Sequence, residues 1–232
     1  MPDALIALRT SLGEQLSLLR GQPVAALPAP LLDLVVRRTA LPGGDLLTVL
    51  PADWEALRHE EGAAGRPIPY WARLWPSGLA LAAALAEDPP GPGARVLELG
   101  CGLALPSVVA ARAGAEVLGT DGNTDAVAFA AHGMVINDVV ADVAQAGWGE
   151  HADALRARAP FDVVLAADVL YTRANVEAAL RLLPELVQRG GAVRLADPGR
   201  AGARDLLAGA RGSFTLSTEQ GGATALHTLW RR

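Results

Sequence analysis

The sequence predicts an α/β fold: a mostly parallel sheet with helices on both faces, an antiparallel pair at its C-terminal end, and a helix and β-hairpin before it. Three observations predict it. From residue 96 onward, short apolar strand candidates alternate with helical patterns, as in a parallel sheet with crossover helices. The first of these strands runs into Gly100-Cys101-Gly102 and then a helix, the turn that brings a ligand to the carboxyl ends of an open sheet. The last two candidates, Phe214–Leu216 and Ala223–Trp230, meet around Gly221-Gly222 with no helix between them.

The elements follow in order. Leu5, Leu8, Leu12, Leu16 and Leu19 recur at helical spacing, so 4–19 reads as an amphipathic helix. Leu34-Val35-Val36 and Leu46 to Leu50 flank Pro42-Gly43-Gly44-Asp45 and read as a hairpin. Asp53 caps a short helix containing Trp54, and Glu60 to Pro69 reads as a polar loop. A helix opens at Ser77 and runs through Leu85, closed by Pro89-Pro90-Gly91-Pro92-Gly93. Strand candidates then lie at 96–99, 116–121, 142–144, 161–167 and 192–196. Helices lie at 105–112, 124–137, 174–189 and 204–210.

Composition narrows the function. The chain has 232 residues, 51% of them hydrophobic, which suits one domain, here 69–232, carrying an N-terminal extension, 1–68. Cys101 is the single cysteine, so no internal disulfide forms, as suits a cytoplasmic protein. The net charge is -5, and all 20 basic residues are arginine with no basic stripe, so a nucleic-acid partner is not expected. The start lacks a basic segment followed by an apolar core. The longest charge-poor run, Trp75 to Ala86, is broken by Pro76 and Gly78, so no membrane association is expected. His59, His132, His151 and His227 show no metal spacing, and no metal is expected.

The glycine turn admits two cofactor classes. A dinucleotide fingerprint needs a third glycine, and Leu105 stands there. Glu98, two residues before Gly100, faces the ligand crevice in this reading, where a carboxylate suits a cationic sulfonium better than a pyrophosphate. Asp121 ends the next strand, where a carboxylate accepts ribose hydroxyls. Nicotinamide enzymes share that feature, and Asp121 also reads as a turn residue ahead of a helix.

Three stretches carry a family resemblance. They are Pro69 to Gly78 with its three aromatic residues, Val96 to Pro106, and Asp168-Val169-Leu170-Tyr171. Together they resemble methyltransferase family 16, the seven-β-strand class I enzymes dependent on S-adenosyl-L-methionine. Asp197-Pro198-Gly199-Arg200 is similar to the branch holding the electron transfer flavoprotein β-subunit lysine methyltransferase and proteins labelled predicted nicotinamide N-methyltransferases.

The resemblance implies a Rossmann-like seven-stranded fold over residues 30–232. It implies that Glu98, Gly100 and Gly102 hold the methionine and sugar end of the cofactor, and that Asp121 holds the ribose. Trp148 would pack on the adenine and Trp75 would stand at the cofactor entrance. Asp168 and Tyr171 would lie beside the methyl group as the catalytic pair. Two departures stand out: Ala104 replaces a common third glycine, and Ala144-Gln145-Ala146 replaces a leucine-aspartate pair. Trp71, Trp75, Trp148 and Tyr171 also read as packing residues, and Arg200 as a substrate contact or a turn residue. The expected function is N-methylation of a protein lysine. The alternatives are a small amine or pyridine acceptor, as in a nicotinamide methyltransferase, and a cofactor-binding interaction protein without catalysis.

Overall fold

A computed structural model describes residues 2–232, with side chains from residue 5 onward. Helix α1 (Pro2–Arg20) and a short α2 (Ala29–Leu32) precede a hairpin of β1 (Leu34–Thr39) and β2 (Leu46–Pro51), paired antiparallel from Leu34↔Pro51 to Thr39↔Leu46. Helix α3 (Trp54–Ala63) is capped by Asp53, whose carboxylate accepts the Ala56 N–H at 2.9 Å. It runs through 60–63, the first four residues of the segment expected as a polar loop. Glu61 sits in its last turn and is buried, because Arg20 and Arg66 converge on its carboxylate. That long-range pairing leaves no local trace in the sequence.

The remaining strands form one seven-stranded sheet. They are β3 (Arg95–Leu99), β4 (Glu116–Asp121), β5 (Asp142–Gln145), β6 (Phe161–Ala167), β7 (Val187–Asp197), β8 (Phe214–Gly221) and β9 (Thr224–Arg231). Their order is β5-β4-β3-β6-β7-β9-β8, parallel through β7 and antiparallel beyond it. The chain steps outward from β3 to β5 and returns on the other side at β6. The direction of winding therefore reverses between β3 and β6, and the crevice at their carboxyl ends is where such sheets bind ligands.

Helices α4 (Pro76–Glu87), α5 (Leu105–Arg112), α6 (Thr124–Ile136), α7 (Ala152–Arg158), α8 (Arg173–Leu186) and α9 (Ala201–Ala210) connect the strands. One apolar cluster joins α1, the hairpin, α4, α5 and α6, including Leu12, Leu16, Leu46, Leu81 and Phe129. A second fills the other face with Leu97, Leu99, Leu182, Leu195 and Phe214. The sequence reading misses the two-turn α7. It also carries α8 three residues too far, because Val187 to Gly191 continues into an extended β7 rather than closing the helix.

Two packing details tie separate elements together. Asn137, at the end of α6, behaves like an added strand residue: its side chain accepts the Leu47 N–H at 3.0 Å and donates to the Leu47 carbonyl at 2.7 Å, binding the hairpin to the domain. Gly202, in the first turn of α9, lies against the Leu170 carbonyl, and an added Cβ would collide with that oxygen and meet Val176 Cγ2 at 3.0 Å. Gly202→Ala is therefore expected to cost about 1–3 kcal/mol by overpacking, read as a lower denaturant midpoint with unchanged slope.

Candidate active site

The loop after β3 has three residues in the left-handed region: Gly100 (φ +65°), Gly102 (φ +52°) and Ala104 (φ +57°). A Cβ on Gly100 would sit 2.8 Å from Val169 Cγ1, and one on Gly102 3.4 Å from the Trp71 carbonyl oxygen. The glycines thus let the loop pass between the β6 loop and the tryptophan-rich segment. Ala104 replaces a glycine where the backbone still demands a positive φ, a strain of about 1–2 kcal/mol for an L-residue.

The sequence places Glu98 facing the crevice. The structure places its carboxyl beneath the loop, 2% exposed, with Oε2 accepting the Ser107 N–H at 2.9 Å and the Ser107 hydroxyl at 2.5 Å. Burial pushes this carboxyl up to about 8, against the hydrogen bonds from Ser107 and with help from Asp121. The folded state therefore keeps a proton that the unfolded chain releases above about 4.5. Stability attached to Glu98 is complete below that value and is lost as pH rises through about 8. Glu98→Gln keeps an acceptor for Ser107 and cannot ionise. Its melting temperature is expected to rise relative to that of the parent protein as pH goes from 5 to 8, by the equivalent of at least ~1 kcal/mol. A constant offset across that range would contradict the assignment.

Asp121 ends β4 and ties two turns together. Its Oδ2 accepts the Gly102 N–H at 3.0 Å and its Oδ1 the Asn123 N–H at 2.9 Å. Burial raises its pKa against those backbone hydrogen bonds. Among the described residues, neither Glu98 nor Asp121 is paired with a cation. With Glu98 beneath the loop, Asp121 is the acid left at this end of the crevice, where a carboxylate suits a ribose diol and opposes a pyrophosphate. Each Asp121 oxygen has a lone pair beyond the one used by the backbone.

Trp148 is half-buried in the turn after β5, where it packs against the second apolar cluster. That turn touches the Asp121 turn: the Ala146 N–H donates to the Asp121 carbonyl at 2.9 Å, and a Cβ on Gly122 would meet Gly147 Cα at 3.7 Å. Trp148 thus directly follows residues that touch the Asp121 turn.

Asp168 follows β6 at the other side of the reversal, with φ +62° and its N–H bonded to the Ala196 carbonyl at 3.0 Å. A non-glycine residue held left-handed at a site marks a conformation imposed by its surroundings. The next residues are pinned as well. The Asn175 side chain donates to the Val169 carbonyl at 2.7 Å, and Thr172 caps α8 through the Asn175 N–H at 3.1 Å. The Asp168 side chain is 9% exposed and paired with Arg200.

An aromatic cluster includes Tyr171, three residues past Asp168. Tyr70 lies 6.1 Å from Tyr171 and 6.2 Å from Trp75, measured between ring centres. Trp75 stands just ahead of α4, its indole N–H bonded to the Tyr70 carbonyl at 2.8 Å and the Arg73 guanidinium 5.1 Å above its ring. Tyr70 and Tyr171 are exposed, whereas Trp71 is buried against Phe129 at 4.7 Å as a core anchor. The sequence reading missed Tyr70, Ser107 and the use of Arg200. Tyr70 was visible as an aromatic neighbour of Trp75, whereas Ser107 has no local signal. Among the described residues, no group of acidic, histidine or cysteine side chains could hold a metal, and no helix is long and apolar enough to cross a membrane.

Comparison with known proteins agrees with this geometry. A family model described as a methyltransferase domain matches residues 69–220. The chain is 31% identical over 140 residues to the electron transfer flavoprotein β-subunit lysine methyltransferase of Danio rerio, covering 58% of this chain and 52% of that protein. It is 30% identical over 107 residues to the histone-arginine methyltransferase METTL23 of Homo sapiens, covering 45% and 56%. The chain spans about half the length of the curated relatives it matches. Among solved structures, a T. thermophilus 16S rRNA N2 G1207 methyltransferase in complex with AdoMet and guanosine aligns with TM-score 0.63 at 21% identity, over 91% of this chain and 53% of that one. A TehB-like SAM-dependent methyltransferase from Corynebacterium glutamicum aligns at 0.55 and 17% identity, over 77% and 96%. Those two likenesses establish the fold.

Proposed function

The chain belongs to the methyltransferase-domain family, whose class I members use S-adenosylmethionine, and we propose that it methylates the side-chain amine of a protein lysine. One observation carries the choice of acceptor. A nearly buried carboxylate, Asp168, is held in a left-handed conformation next to Val169, which packs on Gly100 of the glycine loop, and it lies three residues before Tyr171 of the aromatic cluster. A carboxylate in a setting with aromatic side chains suits an ammonium on an apolar stem. A neutral pyridine nitrogen has no use for that charge. The likeness to a lysine methyltransferase supports the same reading.

In this reading Asp121 takes the ribose, the 100–104 loop takes the methionine end, and Trp148 packs on the adenine. Trp75 stands at the entrance. The bound cofactor supplies an electrophilic methyl group for in-line displacement. The protein then supplies alignment, which is worth on the order of 7–11 kcal/mol when two reactants are held in line.

A free lysine has a pKa of about 10.4, so its neutral form costs roughly 4.6 kcal/mol at pH 7. A carboxylate nearby favours the ammonium, so Asp168 binds and aims the amine rather than removing its proton.

Transfer of labelled methyl into a cell lysate tests the proposal, with protein and small-molecule fractions counted apart and the protein hydrolysed. Label in methyl-lysine supports it. Label only in small molecules, or only in methyl-arginine, overturns it. The chain contains no lysine, so its own side chains add nothing to the methyl-lysine signal.

A further inference from the structure

Arg200 explains a pairing that the lysine reading alone leaves unexplained. Its guanidinium Nη1 is paired with Asp168 Oδ1 and lies 3.4 Å from the Asp168 carbonyl and 3.4 Å from Asp197 Oδ2. Asp168 Oδ1 is buried against that guanidinium. Asp197 is wholly buried, and its Oδ1 accepts the Gly199 N–H at 2.8 Å and the Arg200 N–H at 2.7 Å. Its other oxygen faces the same guanidinium. The Arg200 side chain is one-third exposed, so solvent reaches the guanidinium.

We propose that Arg200 is a displaceable internal cation, seated on Asp168 while no acceptor is bound and retained by Asp197 when an acceptor ammonium takes its place. The inference rests on the lysine reading and adds a gate to it. A carboxylate this enclosed is costly without a counter-charge. A planar guanidinium can span two carboxylates where an ammonium, a point charge, serves one. The exchange therefore keeps both acids compensated throughout, and an acceptor must compete with a tethered rival. Arg200 acts through Asp168 and is a positioning residue.

The test uses n-butylammonium as the lysine-head probe, titrated against the full chain and followed at the Asp168 amide by NMR. Arg200→Gln is expected to bind n-butylammonium about tenfold more tightly than the parent protein, with unchanged affinity for S-adenosylhomocysteine. Adding Asp168→Asn should remove the gain. A purely structural role for Arg200 would leave probe affinity equal or lower in Arg200→Gln, and that result overturns the proposal. Should Arg200→Gln not fold, the parent protein answers alone: its Arg200 Nε–H resonance should move on saturation with n-butylammonium, and a static resonance counts against displacement. Failure of the parent protein to bind S-adenosylhomocysteine is a separate outcome, and it removes the methyltransferase reading whatever the probe does.

Discussion

Asp121→Ala is expected to weaken S-adenosylhomocysteine binding by roughly 10²–10³-fold, the equivalent of about 3–4 kcal/mol from two hydrogen bonds to a charged acceptor. The size follows from the two structural duties of one carboxylate. Its oxygens hold the Gly102 and Asn123 amides, so its loss releases the glycine loop and the start of α6 together. In the proposed reading it also removes the ribose acceptor. Asp121→Asn keeps one acceptor oxygen and should fall between the two, which separates lost charge from lost geometry. Isothermal calorimetry gives the affinities, and a thermal melt checks the fold. An Asp121→Ala protein that binds within threefold of the parent would remove Asp121 from the site.

Asp168→Asn is expected to show the opposite pattern, with methyl transfer lowered by about 10²-fold or more and S-adenosylhomocysteine affinity nearly unchanged. Misplacing one reactant by 1 Å is worth about 10²-fold, and Asp168 is the group assigned to aim the acceptor. Asparagine is the informative replacement, because it adopts the left-handed backbone at φ +62° with less strain than alanine. Asp168→Ala should lose the same activity and some stability besides. The two measurements are label transfer into lysate protein and calorimetry with S-adenosylhomocysteine. Equal loss of both would assign Asp168 to the cofactor instead.

The sequence made much of the fold legible because its signals were local. Alternating strands and helices, the Pro42 to Asp45 turn, and the Asp53 cap each depend on neighbours in the chain, and each appears where expected. The errors fall where distant residues decide. Glu61 looked like loop polarity until Arg20, 41 residues away, was brought to it. The extended start of β7 depends on pairing with β6, where Phe161 meets Val187. The glycine turn announced the ligand crevice, yet Glu98 lies beneath it because Ser107, nine residues on, takes its carboxyl. Arg200 left two readings open, since a four-residue motif cannot say which carboxylate its arginine will reach.

The N-terminal extension has a consequence of a different kind. The Arg20 guanidinium donates to both oxygens of Asp125, at 3.0 and 2.5 Å, and to Glu61 at 3.1 Å, while Ser11 meets His132 at 3.1 Å. Burial pushes the Glu61 carboxyl up, but hydrogen bonds from Arg66 and Arg20 hold it below its usual value. Asp125 lies in the first turn of α6, directly after the Asp121 to Asn123 turn. The shared family pattern begins at residue 69, but the counter-charge of Asp125 comes from residue 20. The stretch that matches the family model is thus smaller than the set of residues its buried charges depend on. Exchanging modules at that border between relatives would import a buried acid without its base.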